Sequence, residues 1–332
     1  MSKRTNCVAH RMTRLQTAVF LLAAGWLAAA GAADNYPTRP LRIVTPYGAG
    51  GSYDVIARIM AQKLSEQMGQ QVVVDNRPGA MGRIGMELGV KATADGYTLI
   101  TIGSSQTIVP SVHVNVPYDL RRSIEPIMLF ATISNTLVVH PSVPAQTAGE
   151  LVALAKAKPG TIRYGSGGTG GITHLMGELF ATLTGTALVH VPYKAGVLAM
   201  NAQLGNEVQM NFLNMLNALP QIQSGKLRGL AVTGLMRSQF LPSLPTLDES
   251  GAKSYEAQEF HALAFPAGTP RAIVIRMHGE LVKALASDDL KKKLSQQTAE
   301  PVMTTPEQTR AFLIAEQAKY AKIVKAIGLK PE

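Results

Sequence analysis

Apolar and polar positions along this chain alternate between two periods. Short runs rich in Val and Ile, which suit buried strands, occur at Leu41–Thr45, Gln71–Asp75, Tyr97–Ile102, Leu137–His140, Thr161–Tyr164, Leu188–Val191 and Gly229–Thr233. Stretches of helical period separate them. In 55–69, Val55, Ile56, Ile59, Met60, Leu64 and Met68 fall on one face, and Gly69 stops the pattern. A capping box, Thr147-Ala148-Gly149-Glu150, opens a helix that ends at Pro159-Gly160. Thr305-Pro306-Glu307-Gln308 opens a last helix that reaches about Ala326. Strand and helix in turn predict α/β layers with largely parallel sheets.

One unit of this pattern occurs twice. The turns Pro46-Tyr47-Gly48-Ala49-Gly50-Gly51-Ser52-Tyr53-Asp54 and Tyr164-Gly165-Ser166-Gly167-Gly168-Thr169-Gly170-Gly171 each follow a strand and precede an amphipathic helix (Val55–Met68 and Ile172–Leu183). A helix N-terminus offers free N–H groups and the positive end of a dipole, so each turn is an anion cradle. Ser52, Ser166 and Thr169 add hydroxyl donors. Two cradles predict a ligand held at both ends, or between two similar lobes. Crossings between the lobes are expected near Ile133–Val139 and Gln258–Ala264, with the last helices returning to the first lobe.

The N-terminus stands apart. Lys3, Arg4, Arg11 and Arg14 precede an apolar run from Thr17 to Ala30, and Ala30-Gly31-Ala32 supplies an A-x-A cleavage pattern. This reads as a secretory signal peptide, too short in its apolar part for a membrane span. Its removal takes away the only Cys (Cys7) and the only Trp (Trp26). The exported chain then has no disulfide and relies on a core, which 46% hydrophobic content can supply. Loss of four of the 32 basic residues and none of the 22 acids lowers the charge from +10 to +6. That balance suits small anions, and no basic block interleaved with aromatics points to nucleic acid.

Other chemistries find weaker support. Gly165, Gly167 and Gly170 spell G-x-G-x-x-G, but no acid occurs between Glu178 and Glu207 to bind a ribose. The histidines His113, His140, His174, His190, His261 and His278 include no i, i+4 pair for zinc. Ser104, Ser105 and Ser166 lie at strand ends, outside any G-x-S-x-G, and Ser166 with His174 is the one local nucleophile–base candidate. Asp54 has two readings: an acid complementing the helix dipole, or a group that reads a ligand's ammonium or hydroxyl. His174 reads as a partly buried hydrogen-bonding histidine or as a pocket residue.

Ordered motifs then run the length of the chain: Tyr36-Pro37-Thr38-Arg39-Pro40-Leu41-Arg42, Gly50-Gly51-x-x-Asp54, Asp75-Asn76-Arg77-Pro78-Gly79-Ala80, Asp95-Gly96-Tyr97-Thr98-Leu99, Pro117-Tyr118-Asp119, His190-Val191-Pro192-Tyr193-Lys194, Gly225-Lys226-Leu227-Arg228, Leu241-Pro242-x-x-Pro245-Thr246 and Pro266-Ala267-Gly268-Thr269-Pro270. From Tyr36 onward the chain resembles the Bug, or TctC-like, solute-binding proteins of tripartite tricarboxylate transporters. The resemblance implies an α/β periplasmic-binding-protein fold of type II: a Venus flytrap of two α/β lobes with a hinge and a cleft. It implies capture of a small carboxylate or dicarboxylate in the periplasm, partly through bridging water, and delivery to membrane transporter subunits. Carried over residue by residue, the ligand-binding positions are Tyr47, Ala49, Gly50, Gly51 and Asp54 in the first turn and Ser166, Gly168, Thr169 and Gly170 in the second. Ser104 and Ser105 match a pocket-lining strand end, and His174 matches the histidine that opens the second lobe's helix. The expected division is a signal peptide at 1–33, lobe one at 34–135 with 259–332 returning to it, and lobe two at 136–258. No cofactor, metal, catalytic residue, nucleic acid or stable membrane insertion is expected, and the protein is expected to be a monomer. Gly48, Gln209, Phe260 and Ala262 depart from the family pattern, with Asn211 and Asn214 near Gln209. The alternatives are a periplasmic hydrolase of carboxylic esters and a ligand-loaded partner for a membrane sensor.

Overall fold

The computed structural model describes residues 36–331. The signal peptide expected at 1–33, with Cys7 and Trp26, lies outside the described residues. In chain order the elements are β1 (Leu41–Thr45), α1 (Ser52–Met68), β2 (Val72–Asn76), α2 (Arg83–Val90), β3 (Thr98–Ile102), α3 (Ser104–Val112), β4 (Ile124–Val139), α4 (Ala148–Ala157), β5 (Arg163–Ser166), α5 (Ile172–Thr184), β6 (Val189–Pro192) and α6 (Gly196–Leu204). There follow β7 (Met210–Asn214), α7 (Met215–Gln223), β8 (Arg228–Val232), β9 (Gln258–Pro266), α8 (Arg271–Ala286), α9 (Asp288–Gln296), β10 (Glu300–Pro301) and α10 (Pro306–Ala326).

The strand order is β2-β1-β3-β9-β4-β7-β5-β6, with β8 and β10 also pairing β4. Strands β1, β2 and β3 are parallel, and so are β5, β6 and β7. The long strand β4 joins these two groups by changing partners. Antiparallel pairing to β9 runs to Ser134↔Gln258, and pairing to β7 begins at the next residue, Asn135↔Asn214. The sheet thus divides at one peptide bond into two α/β lobes.

Each lobe has its own core. Leu41, Ile43, Ile56, Met60, Leu64, Phe130 and Met277 pack in the first; Leu137, Leu151, Tyr164, Phe180, Phe212 and Tyr255 pack in the second. A smaller cluster joins Val112 of α3, Leu175 of α5 and Tyr320 and Ile323 of α10, so it spans both lobes. The helix anticipated at 55–69 begins earlier, at Ser52, and ends at a left-handed Gly69; Ile56, Met60 and Leu64 are buried. Both anticipated capping threonines accept the expected backbone N–H, Thr147 from Glu150 and Thr305 from Gln308.

Three strand readings need correction. The run at Leu137–His140 is the end of a strand of 16 residues. The strand expected at Thr161–Tyr164 lies two residues later, because Thr161 N–H turns back to Lys158 O. Strand β7 was not anticipated and β9 was anticipated only as a crossing near Gln258–Ala264; Asn and Gln at their starts or ends hide them from a search for Val and Ile runs.

Candidate functional site

Both glycine turns lie at the carboxyl ends of parallel strands, where open α/β sheets place their ligands. The first follows β1 and the second follows β5. The register of β4 with β7 and β9 brings both carboxyl edges to the crossing at Ser134 and Asn135. Ser104, which follows β3, donates from Oγ to Gln258 O at that crossing (3.1 Å). Gly170 of the second turn reaches the first lobe: a Cβ placed there would lie 3.4 Å from Val112 Cγ1. The second turn thus approaches α3 of the first lobe, and the first turn lies at the carboxyl end of the neighbouring sheet.

Their backbones nearly superimpose in kind. Gly51 caps α1 at φ −77°, ψ 166°, and Gly171 caps α5 at φ −73°, ψ 165°; neither helix has a side-chain cap. The first helical bonds are Val55 N–H to Gly51 O and Leu175 N–H to Gly171 O. The N–H groups of Ser52, Tyr53 and Asp54, and of Ile172, Thr173 and His174, hence have no acceptor within their helices. Gly50 and Gly168 hold φ of +79° and +132°, which side chains with a Cβ rarely adopt.

The third helical residue braces each turn. In the first, Asp54 Oδ2 accepts from Gly50 N–H (2.8 Å), and its Oδ1 takes Asn76 Nδ2 (2.9 Å) and Arg58 Nε (2.9 Å). Asp54 is buried; burial pushes its pKa up, but Arg58, the Gly50 N–H and Asn76 outweigh this and hold it below the ordinary value. In the second, His174 Nδ1 accepts from Gly170 N–H (3.0 Å), which places its proton on Nε2, 3.7 Å from Glu178 Oε1. Burial lowers the His174 pKa against the opposing charge of Glu178. Both side chains are thus bound into their turns: Asp54 is an acid in the first turn of α1, and His174 is a buried, hydrogen-bonding histidine.

The surroundings differ. Tyr47 and Tyr53 stack at 3.8 Å over Gly103, where a Cβ would meet Tyr53 Cε1 at 2.2 Å. Tyr47 donates to Gln106 Oε1 (2.5 Å) and also bonds Ser105, while Ser104 N–H donates to the Tyr53 hydroxyl (3.3 Å). Ser104 is buried and Ser105 half-buried; Ala49, Gly50 and Gly51 form the exposed tip. Around the second turn, Ser166 Oγ accepts from Gly168 N–H (3.1 Å) and lies 2.6 Å from His190 Nε2. Thr169 is exposed, and Thr173 Oγ1 accepts from Gly167 N–H (3.1 Å). The pairing of Ser166 with His174 is therefore corrected: Ser166 is bonded to His190, because β6 runs beside β5. His190 stacks on His174 at 3.8 Å, and its pKa falls to about 4 through burial and then the neighbouring His174.

Sequence reasoning missed Glu259. It stands at the start of β9 and receives a hydrogen bond from the Asn214 amide at the end of β7. The Gln258-Glu259 pair before apolar Phe260 was the available signal. Gln209, Asn211 and Asn214 also have structural tasks: Gln209 Oε1 accepts from Arg163 N–H, Asn211 donates to Ala199 O, and Asn214 Oδ1 caps α7 at Leu216 N–H. Among the described residues no group of His, Cys, Asp and Glu is arranged to hold a metal ion, and no helix is long and apolar enough to cross a membrane.

Comparison with known proteins gives one consistent likeness. Residues 56–329 match the family model of the tripartite tricarboxylate transporter family receptor, TctC. Protein BugT of Bordetella pertussis is 36% identical over 323 residues, which cover 96% of this chain and 99% of BugT. The structure of periplasmic binding protein BugD is 33% identical with a TM-score of 0.74, covering 90% of this chain and 100% of BugD. R. palustris Rpa4515, solved with adipate, is 33% identical with a TM-score of 0.77, covering 90% of this chain and 100% of that one.

Proposed function

The chain belongs to the tripartite tricarboxylate transporter receptor family, and from that premise we propose that it is a periplasmic solute-binding receptor that closes its two lobes on a small carboxylate. The observation that carries this reading is the pair of uncapped helix N-termini, one per lobe, at a common crossing. Adipate bound to Rpa4515, a relative by sequence and fold, supports the ligand class. Within the described residues the lobes are 36–135 with 259–331, and 136–258, hinged where β4 and β9 meet the second sheet. The receptor works as a monomer and hands its solute to membrane transporter subunits.

In this reading the tip of the first turn (Tyr47, Ala49, Gly50, Gly51) and that of the second (Ser166, Gly168, Thr169, Gly170) surround the ligand, with Ser104 and Ser105 lining the floor. Asp54 and His174 position the turns. One helix N-terminus contributes about 0.3–1 kcal/mol toward an exposed anion and ~2 when partly buried. A micromolar ligand needs about 8 kcal/mol. Direct N–H and hydroxyl bonds, bridging water and closure supply the remainder. A ligand that touches both lobes favours the closed state.

Thermal unfolding against a panel of mono-, di- and tricarboxylates tests this. At least one acid raises the melting temperature in proportion to the logarithm of its concentration. No shift with any member of the panel would sink the receptor reading. The hydrolase alternative now runs through Ser166 and His190; labelling of Ser166 by a fluorophosphonate, lost in His190→Ala, is the result that would favour it.

A further inference from the structure

Glu259 is an acid placed where an anion receptor should avoid one. It lies on β9 opposite Ile133, one residue from the crossing. Its odd-numbered neighbours on the strand show which side it faces. The His261 ring lies 4.5 Å from the Tyr53 ring, and Leu263 and Phe265 enter the core beneath α1. Glu259 therefore faces the side of the sheet on which Tyr53 follows the first turn. From the other lobe Asn214 donates its amide to the carboxyl. The Asn214 Oδ1 is already used by Leu216 N–H at 3.0 Å, so only its N–H groups serve Glu259. Glu259 is half-buried and in contact with both lobes.

Among the described residues no cation sits against it, and burial raises its pKa while the Asn214 amide opposes that rise. Among the described residues no Lys, Arg or His forms an ion pair with Glu259. Asp54, on the same side, has Arg58 at 2.9 Å. A half-buried carboxylate without a cation repels a guest that carries only negative charge. It attracts a guest that brings its own cation.

We propose that Glu259 receives an ammonium group of the ligand, so that the solute is an ammonium-bearing carboxylate of the amino-acid type. This rests on the receptor reading above and narrows it. The ligand's carboxylate then goes to the second turn, whose bracing histidine adds no negative charge, and its ammonium lies toward β9.

Calorimetric titration of the purified protein with matched pairs tests the assignment: glutamate against glutarate, aspartate against succinate, β-alanine against propionate. The amino member of at least one pair binds 10-fold or more tightly than its deaminated partner. Glu259→Gln keeps size and the Asn214 bond; it weakens the amino member 10-fold or more and leaves the deaminated one equal or tighter. Glu259→Asp, which shortens the reach and keeps the charge, loses less than Glu259→Gln and serves if that variant folds poorly. Preference for the deaminated members in the parent, or a Glu259→Gln affinity equal for both members to that of the parent, overturns the inference while the receptor reading stands. Binding of neither class, with simple carboxylates also silent in the thermal panel, overturns both.

Discussion

The two glycine turns have the same backbone and opposite chemistry beneath it. Each places a side chain at the third helical position to accept the N–H of the glycine before the cap: Asp54 from Gly50, His174 from Gly170. The geometry demands an acceptor there, and either residue type provides one. What differs is charge. Asp54 brings a full negative charge, offset by Arg58; His174, stacked on His190, is neutral and brings none. The turn braced by histidine is thus the better host for an anion, and the turn braced by aspartate the more polarised.

Removal of each brace separates the two most strongly. Asp54→Ala leaves the Gly50 N–H, Asn76 and Arg58 without their shared partner and costs about 2–4 kcal/mol by denaturant unfolding. His174→Ala strands one N–H and costs about 1–2 kcal/mol. Equal losses would show that the charge of Asp54 plays no part in its turn.

Acidification comes next. The pKa values of His174 and His190 are lowered in the fold, so their contribution is fully present above about 6.5, the ordinary histidine value, and is lost as pH falls toward about 4 for His190. Asp54 is also lowered, so its contribution persists until pH falls below the ordinary carboxylate value of 3.8. Amide hydrogen exchange, corrected for intrinsic pH dependence, should therefore show the Gly170 N–H losing protection as pH falls below 6.5 while the Gly50 N–H keeps it down to 3.8. Loss of both together would remove the distinction between the braces. The smallest expected effect is that of Ser166→Ala, which removes the hydroxyl between Gly168 and His190 and costs about 1 kcal/mol, with ligand affinity reduced about 5-fold.

Much of this molecule was legible in the chain. Glycine turns between a Val- and Ile-rich run and an amphipathic stretch marked both strand–turn–helix units, and the capping boxes at Thr147 and Thr305 fixed two helix starts. Side-chain partners were legible only at the capping boxes. Asp54 with Gly50 and His174 with Gly170 are four residues apart, but each pair depends on the backbone of its turn and was not read from the chain. Ser166 with His190 and Glu259 with Asn214 depend on which strands lie side by side, and the register of β5 with β6 or β4 with β7 is a tertiary fact. The segment of β9 was anticipated as a crossing between the lobes but not as a strand, because it opens on the polar pair Gln258 and Glu259.

The central claim is that both turns hold one guest. It is tested most directly by calorimetry with a single carboxylate that binds the parent protein, repeated on Gly50→Val and on Gly168→Val. Each replaces a positive-φ glycine that has few neighbours to displace but whose backbone a Cβ strains, so the exposed turn itself must shift. The account predicts that both variants remain folded and that each weakens the same ligand 10-fold or more. An affinity unchanged in either variant would contradict it, because that turn would then not touch the guest.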